Sequence, residues 1–163
     1  MVKKANKATA AVMLLLFFVS ISPCPASLSA ASKEDHEKKI IAIERSILER
    51  WAKGDPFGYM DHAAPDITFF DPPLESRGEG VKAFRKFVAP AEGKVHIPRY
   101  EMINPRVQLH GEIGVLTYNL VNYSKEDKVT SRWNSTEVYR RIKGEWKLIH
   151  SHWSLTKPKL ARQ

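Results

Sequence analysis

Apolar residues recur at intervals of 3, 4 and 4 through Ile40, Ile43, Ile47 and Trp51, and Ile41 and Leu48 widen the stripe. That spacing predicts an amphipathic helix with one buried face. Ser32 and Asp35 offer a capping box at its start, and Gly54 follows its end. Asp55-Pro56 has the form of an N-cap followed by proline at the first helical position, predicting a short second helix to about His62. Pro65 should end it. Ile67, Thr68, Phe69 and Phe70 read as a short strand stopped by Pro72-Pro73. A third helix over residues 79–88 places Val81, Phe84 and Val88 on one side and stops before Pro90.

Beyond Pro98 the period changes from helical to alternating. Segments are predicted at residues 100–103, 106–110, 115–123, 129–141 and 145–155. A bulge or bend is expected at Asn104-Pro105, because proline cannot donate to the ladder. Turn signals stand at Gly111-Glu112, at residues 125–128 and at Lys143-Gly144. Helices followed by a meander of strands predict an α+β fold, a sheet curling around helices packed on one side.

Register carries the candidate chemistry. A two-residue hairpin at Lys143-Gly144 sets Glu137 opposite His150, Ser135 opposite His152 and Trp133 opposite Ser154 on one face. The opposite face then carries Val138 facing Ile149 and Asn134 facing Trp153. The preceding hairpin puts Tyr118 opposite Ser135 and Leu116 opposite Glu137. A slip of one residue would exchange the faces. A carboxylate across from an imidazole can act as a general acid–base couple, or simply stabilise the sheet as a polar cross-strand pair. His150-Ser151-His152 could also hold a metal, but zinc would need a further ligand from Glu137, Asp71 or His62, and no metal or other cofactor is expected. Asp71 is either a pocket carboxylate or an ordinary part of a strand-ending Asp-Pro-Pro turn. His36, His96 and His110 are expected in solvent, and Trp51, Phe69, Phe84 and Trp146 in the core.

Composition changes the picture chiefly at the N-terminus. Lys3, Lys4 and Lys7 precede an apolar run from Ala10 to Ile21, and small residues follow, with possible cleavage after Ala26 or Ala31. This is the pattern of a signal peptide, so residues 1–31 are expected to be removed and residues 32–163 to form one domain, periplasmic or secreted. An uncleaved anchor and a lipidated Cys24 are the alternatives, although Pro23 suits lipoprotein cleavage poorly. Cleavage after Ala31 would leave no cysteine, hence an exported domain resting on its core alone. The net charge of +8 includes those three lysines, and the remaining charges are interspersed as on solvated faces. Nucleic acid is therefore not expected as a partner.

From Lys53 to about Pro158 the chain resembles the nuclear transport factor 2-like superfamily. It is most similar to the association domain of calcium/calmodulin-dependent protein kinase II and its bacterial relatives. The stretches that carry the likeness are Gly54-Asp55 with Tyr59, the Phe69-Phe70-Asp71-Pro72 strand end, and Ile103-Asn104-Pro105 with Val107 and Leu109. They continue through Gly111-Glu112, Tyr118, Tyr123 and Thr136-Glu137-Val138-Tyr139, to Gly144-Glu145-Trp146 and His150-Ser151-His152-Trp153-Ser154. The resemblance implies a cone, in which a strongly curved antiparallel sheet wraps three helices and opens at one end into a pocket (nuclear transport factor 2-like, cystatin-like). It implies self-association through the outer sheet face, which here would carry Asn134, Val138, Ile149 and Trp153. Ketosteroid isomerase, limonene-epoxide hydrolase and SnoaL-like polyketide cyclases share this superfamily with many members of no known catalysis, so fold likeness assigns no reaction.

One departure matters. The kinase association domain has arginine, in a T-R-V-W context, where this chain has Glu137 in T-E-V-Y. A carboxylate suits an amine, a hydroxyl donor or the neighbouring His150, so anion binding is not carried over. Calmodulin is not expected as a partner, since no kinase or calmodulin-binding segment is present. The expectation is an exported domain binding a small organic molecule, with SnoaL-like or ketosteroid-isomerase-like acid–base chemistry by Glu137 and His150 as one outcome. Tyr59, Tyr118, Trp133 and Leu148 would wall the pocket, with Ser135, His152 and Ser154 along its polar row. The competing expectation is a non-catalytic self-associating domain.

Overall fold

The Ser32 hydroxyl accepts the backbone N–H of Asp35 at 3.2 Å, and Asp35 takes the Ser32 N–H at 3.0 Å, completing the expected capping box. From that cap runs α1, Lys33–Ala52, in a computed structural model that describes residues 32–156. The signal-peptide, anchor and Cys24 expectations lie outside the described residues. Helix α1 buries Ile40, Glu44, Ile47, Leu48 and Ala52 on one face. Helix α2, Gly58–His62, is shorter than expected. Asp55 caps the Phe57 N–H at 2.9 Å and pairs with Arg50 at 2.6 Å, so this segment is first a turn and then a helix.

Strand β1, Ala63–Phe70, begins earlier than the apolar run suggested and includes Pro65. Proline is accommodated because the pairing of β1 is irregular between Ala63 and Thr68. A two-residue strand β2, Gly78–Glu79, pairs with it and leads into α3, Val81–Val88. Gly78 is required here. A Cβ at this position would lie 2.2 Å from the Phe69 ring, which is itself wedged against Phe84 and Phe87.

After a 3₁₀ turn at Ala89–Ala91 come β3 (Arg99–His110), β4 (Ile113–Tyr123), β5 (Val129–Ile142) and β6 (Glu145–Leu155). The six strands are ordered β2-β1-β6-β5-β4-β3. The fold is α+β, a curved sheet with helices, as expected. All pairings are antiparallel except β1 with β6, which is parallel and was not legible as such. The register of β3 shifts between Ile103 and Arg106, with Asn104 at φ 48°, so the Asn104-Pro105 bulge is present. Gly114 lets α1 close on the sheet, since a Cβ there would lie 2.5 Å from Ile40 Cδ1. The core between helices and sheet includes Ile40, Ile47, Phe84, Leu116, Trp146 and Leu148, each at most 3% exposed. Each such side chain contributes about 1.5–3 kcal/mol by burial.

The last hairpin turns at Lys143-Gly144 with φ of 51° and 86°, the left-handed pair of a type I′ turn. Pairing proceeds as expected from Ile142 opposite Glu145 to Tyr139 opposite Leu148. There the ladder slips. Ile149 has no partner, and from that point Val138 faces His150, Glu137 faces Ser151, and Ser135 faces Trp153. This one-residue bulge corrects the expected Glu137–His150 pairing. The β4–β5 register is unbroken from Ile113 to Asn122 and slips only between Asn122 and Tyr123, so Tyr118 faces Ser135 and Leu116 faces Glu137 as expected.

Candidate functional site

Two carboxyl groups from different elements are buried beneath the sheet's inner face, and both are fully inaccessible to solvent. Glu137, on β5, accepts hydrogen bonds at Oε1 from Ser135 Oγ (2.8 Å) and Ser151 Oγ (3.1 Å). Its Oε2 has no partner among the described residues. Glu44 reaches in from α1 and accepts from Tyr118 Oη at 2.6 Å and from Tyr139 Oη. Burial pushes the Glu137 carboxyl well above its ordinary range, the nearby Glu44 adds to the rise, and the two serine hydroxyls offset part of it. Burial also raises Glu44, against the lowering effect of its two tyrosine donors. Both acids thus hold their protons to higher pH than an exposed carboxyl would.

Beside this cluster a cavity of about 110 Å³ opens between the sheet and the helices. Its wall is largely aromatic, with Trp51, Tyr59, Phe69, Phe84, Phe87, Trp133 and Trp153 around it. Trp51 meets Tyr59 at 80° and Trp133 meets Trp153 at 82°, so adjacent rings stand nearly perpendicular. Polar side chains enter this wall at Asp71, Asn122 and Ser151. Asp71 is half-buried at the end of β1, and burial raises its carboxyl to about 6. Its carbonyl also accepts the Leu74 N–H at 2.8 Å, so the strand-ending turn and the pocket carboxylate are both realised. Asn122 donates through Nδ2 to Ser131 Oγ at 3.0 Å, and its buried Oδ1 is without a partner among the described residues.

The bulge redistributes the expected site residues. Tyr59 and Trp133 line the cavity, and Tyr118 and Ser135 lie on the inner face, engaged with Glu44 and Glu137. Leu148 is core. His150, His152 and Ser154 face outward, opposite Val138, Thr136 and Asn134, and so leave the inner polar row. His150 accepts or donates at Nδ1 to Thr68 Oγ1 over 2.8 Å, and both histidine rings pack on Phe70. Its pKa is lowered, mainly by burial and then by His152 and Arg77. Trp153, assigned to the outer face, instead points inward against Tyr118 and Trp133. The metal reading also loses its geometry, because Glu137 and the two histidines occupy opposite faces of the sheet. Among the described residues, no group of three or more potential metal ligands gathers.

Glu44 was missed from the sequence, yet a signal existed. It sits one turn after Ile40 and one turn before Leu48, an acid within the apolar stripe itself. Ser151, Trp153 and Asn122 carried no comparable signal. The first two depended on the bulge, and Asn122 resembles any polar residue near a strand end.

Residues 40–158 match the family model of the SnoaL-like domain. No curated protein matches the chain. Among solved structures, the chain is 38% identical to a protein from Parabacteroides distasonis described as a candidate ketosteroid isomerase. The match covers 77% of this chain and 91% of that one, with a TM-score of 0.67. A nuclear transport factor 2-like protein of unknown function from Pseudomonas putida matches with a TM-score of 0.68 at 20% identity, over 82% and 95% of the two chains. The association domain of Caenorhabditis elegans calcium/calmodulin-dependent protein kinase II matches with a TM-score of 0.62, also at 20% identity, over 74% and 96%. The latter two show the fold alone. With most of its length matched by the family model, the chain belongs to the SnoaL-like domain family within the nuclear transport factor 2-like fold.

Proposed function

We propose that the protein is an exported pocket domain that binds a small, mainly apolar organic molecule. The observation that carries this proposal is the aromatic cavity, with Asp71 as its one acidic side chain among the described residues. Enclosed apolar cavities with a few convergent polar groups are the usual form of small-molecule sites. If the pocket performs proton transfer, Asp71 is the group suited to it. Burial brings its carboxyl to about 6, near the pH at which a general base is effective. The likeness to a candidate ketosteroid isomerase is consistent with chemistry of that class. Glu137 is better suited to orienting Ser151 than to reacting, because it lies behind the cavity wall. Export rests on the basic and apolar pattern of residues 1–31.

A thermal-shift screen of small aromatic and alicyclic molecules tests the pocket. Binding should raise the melting temperature of the wild type. Ile97→Trp, which fills the cavity from a half-buried lining position, should abolish the shift while keeping its own melting temperature. A shift that persists in this variant would place the ligand elsewhere.

The outer sheet face supports a second reading, self-association. Phe70 is 39% exposed there against His150 and His152, and Val138 lies beside them on β5. The fold likeness to association domains is consistent with such an assembly.

A further inference from the structure

The cavity's electrostatic character narrows its ligand further. Among the described residues, no lysine, arginine or histidine lines it. Its lining holds acceptors in Ser151 and Asp71 and donors in the Tyr59 hydroxyl and the tryptophan indole N–H groups. The Ser151 hydroxyl proton is committed to Glu137, leaving lone pairs on Oγ for the cavity side. Asn122 gives one of its two amide N–H groups to Ser131, and its buried Oδ1 has no partner among the described residues. Asp71 adds a carboxylate. The walls are indole, phenol and phenyl rings. Aromatic faces carry negative potential and attract cations, most strongly where water is excluded. An anion would find no fixed positive side chain, and its lone pairs would oppose those of Asp71.

We infer that the cavity selects an organic cation, a protonated amine on a compact apolar or aromatic body, with the ammonium held by Asp71 among the aromatic side chains. This inference rests on the pocket reading above. It also extends the contrast at Glu137, because the acidic substitution on β5 lies behind a cavity that is itself without cationic side chains.

Calorimetric titration of the protein at pH 7.5 with 2-phenylethylamine, 2-phenylethanol and phenylacetate separates the possibilities. These probes share a ring and differ in the charge of the head group. The amine should bind at least about tenfold tighter than the alcohol, with no measurable binding of phenylacetate. Asp71→Asn, which keeps the side-chain shape, should remove the amine's advantage while leaving the alcohol's affinity within about twofold. Equal or tighter binding of the alcohol or the carboxylate would overturn the inference and leave the pocket reading standing. An amine preference unchanged in Asp71→Asn would also overturn it. If none of the three binds and the screen above yields no cavity-dependent shift, both fall together.

Discussion

Glu44 and Glu137 are buried to the same degree but held in different ways. Both oxygens of Glu44 receive a tyrosine hydroxyl, whereas Glu137 receives two serine hydroxyls on one oxygen and none on the other. Leaving a buried hydroxyl without its acceptor costs roughly 1–3 kcal/mol. Glu44→Leu should therefore destabilise the protein by at least that much in urea unfolding, since it strands Tyr118 and Tyr139 together. Glu137→Gln should be far milder at acidic pH and stabilising at pH 8, where the wild type must either keep an unfavourable proton or bury a charge. The sign for the wild type follows from the raised folded-state pKa values. Glu44, Glu137 and Asp71 hold protons in the folded chain to higher pH than in the unfolded chain. Their contribution is complete below the ordinary carboxylate range and is lost as pH rises through the folded values. For Asp71 that window runs from 3.8 to about 6. The melting temperature should accordingly fall as pH rises out of the ordinary carboxylate range through about 6 and beyond, and Glu137→Gln should flatten that slope. A slope unchanged by the substitution would mean that Glu137 does not titrate abnormally.

At the scale of elements, most of the framework was legible because it follows from local rules. The α1 stripe, the Lys143-Gly144 turn and the Asn104-Pro105 bulge each have a sequence cause, and each is present. The Ile149 bulge has none. Neither glycine nor proline marks it, and a β-branched apolar residue is an ordinary strand residue. The candidate site was therefore half legible. Glu137, Tyr59 and Trp133 were assigned inward through β5 or α2, while every assignment on β6 beyond Ile149 was reversed in face. The parallel β1–β6 pairing was hidden for a related reason, since it is a long-range contact that no hairpin signal announces. Gly78→Ala tests how tightly the small β2 element fits. Its methyl group would run into the Phe69 ring, and overpacking of this kind costs about 1–3 kcal/mol. Urea denaturation should show that loss, and the displaced ring should also weaken any cavity ligand.

At the scale of the whole molecule, the two sheet faces divide the work proposed for the chain. The inner face carries the acids and the cavity, and the outer face carries His150, His152 and Val138, with Phe70 packed on the two histidines and also bordering the cavity. Val138→Arg would place a charge within a paired face, so it should convert an assembly to monomer by light scattering while preserving ligand-induced thermal shifts. A mass unchanged by this variant would reject β5 as the interface. Export is tested independently, because mass spectrometry of the protein secreted or released from the periplasm should find Ser27 or Ser32 as the first residue.

The bulge at Ile149 also governs which length changes the strand can absorb. It acts as a spare link in the chain of alternating side chains. A homologous strand lacking that link would still set Ser151 against Glu137 and keep Trp153 inward, because pairing beyond it already runs as though Ile149 were absent. A strand shortened instead at Ser151 would bring His152 against Glu137 and turn Trp153 outward. Loss of one residue is thus nearly silent at the first position. Two positions later, it would exchange a serine and an indole for an imidazole and rewrite the chemistry of the cavity.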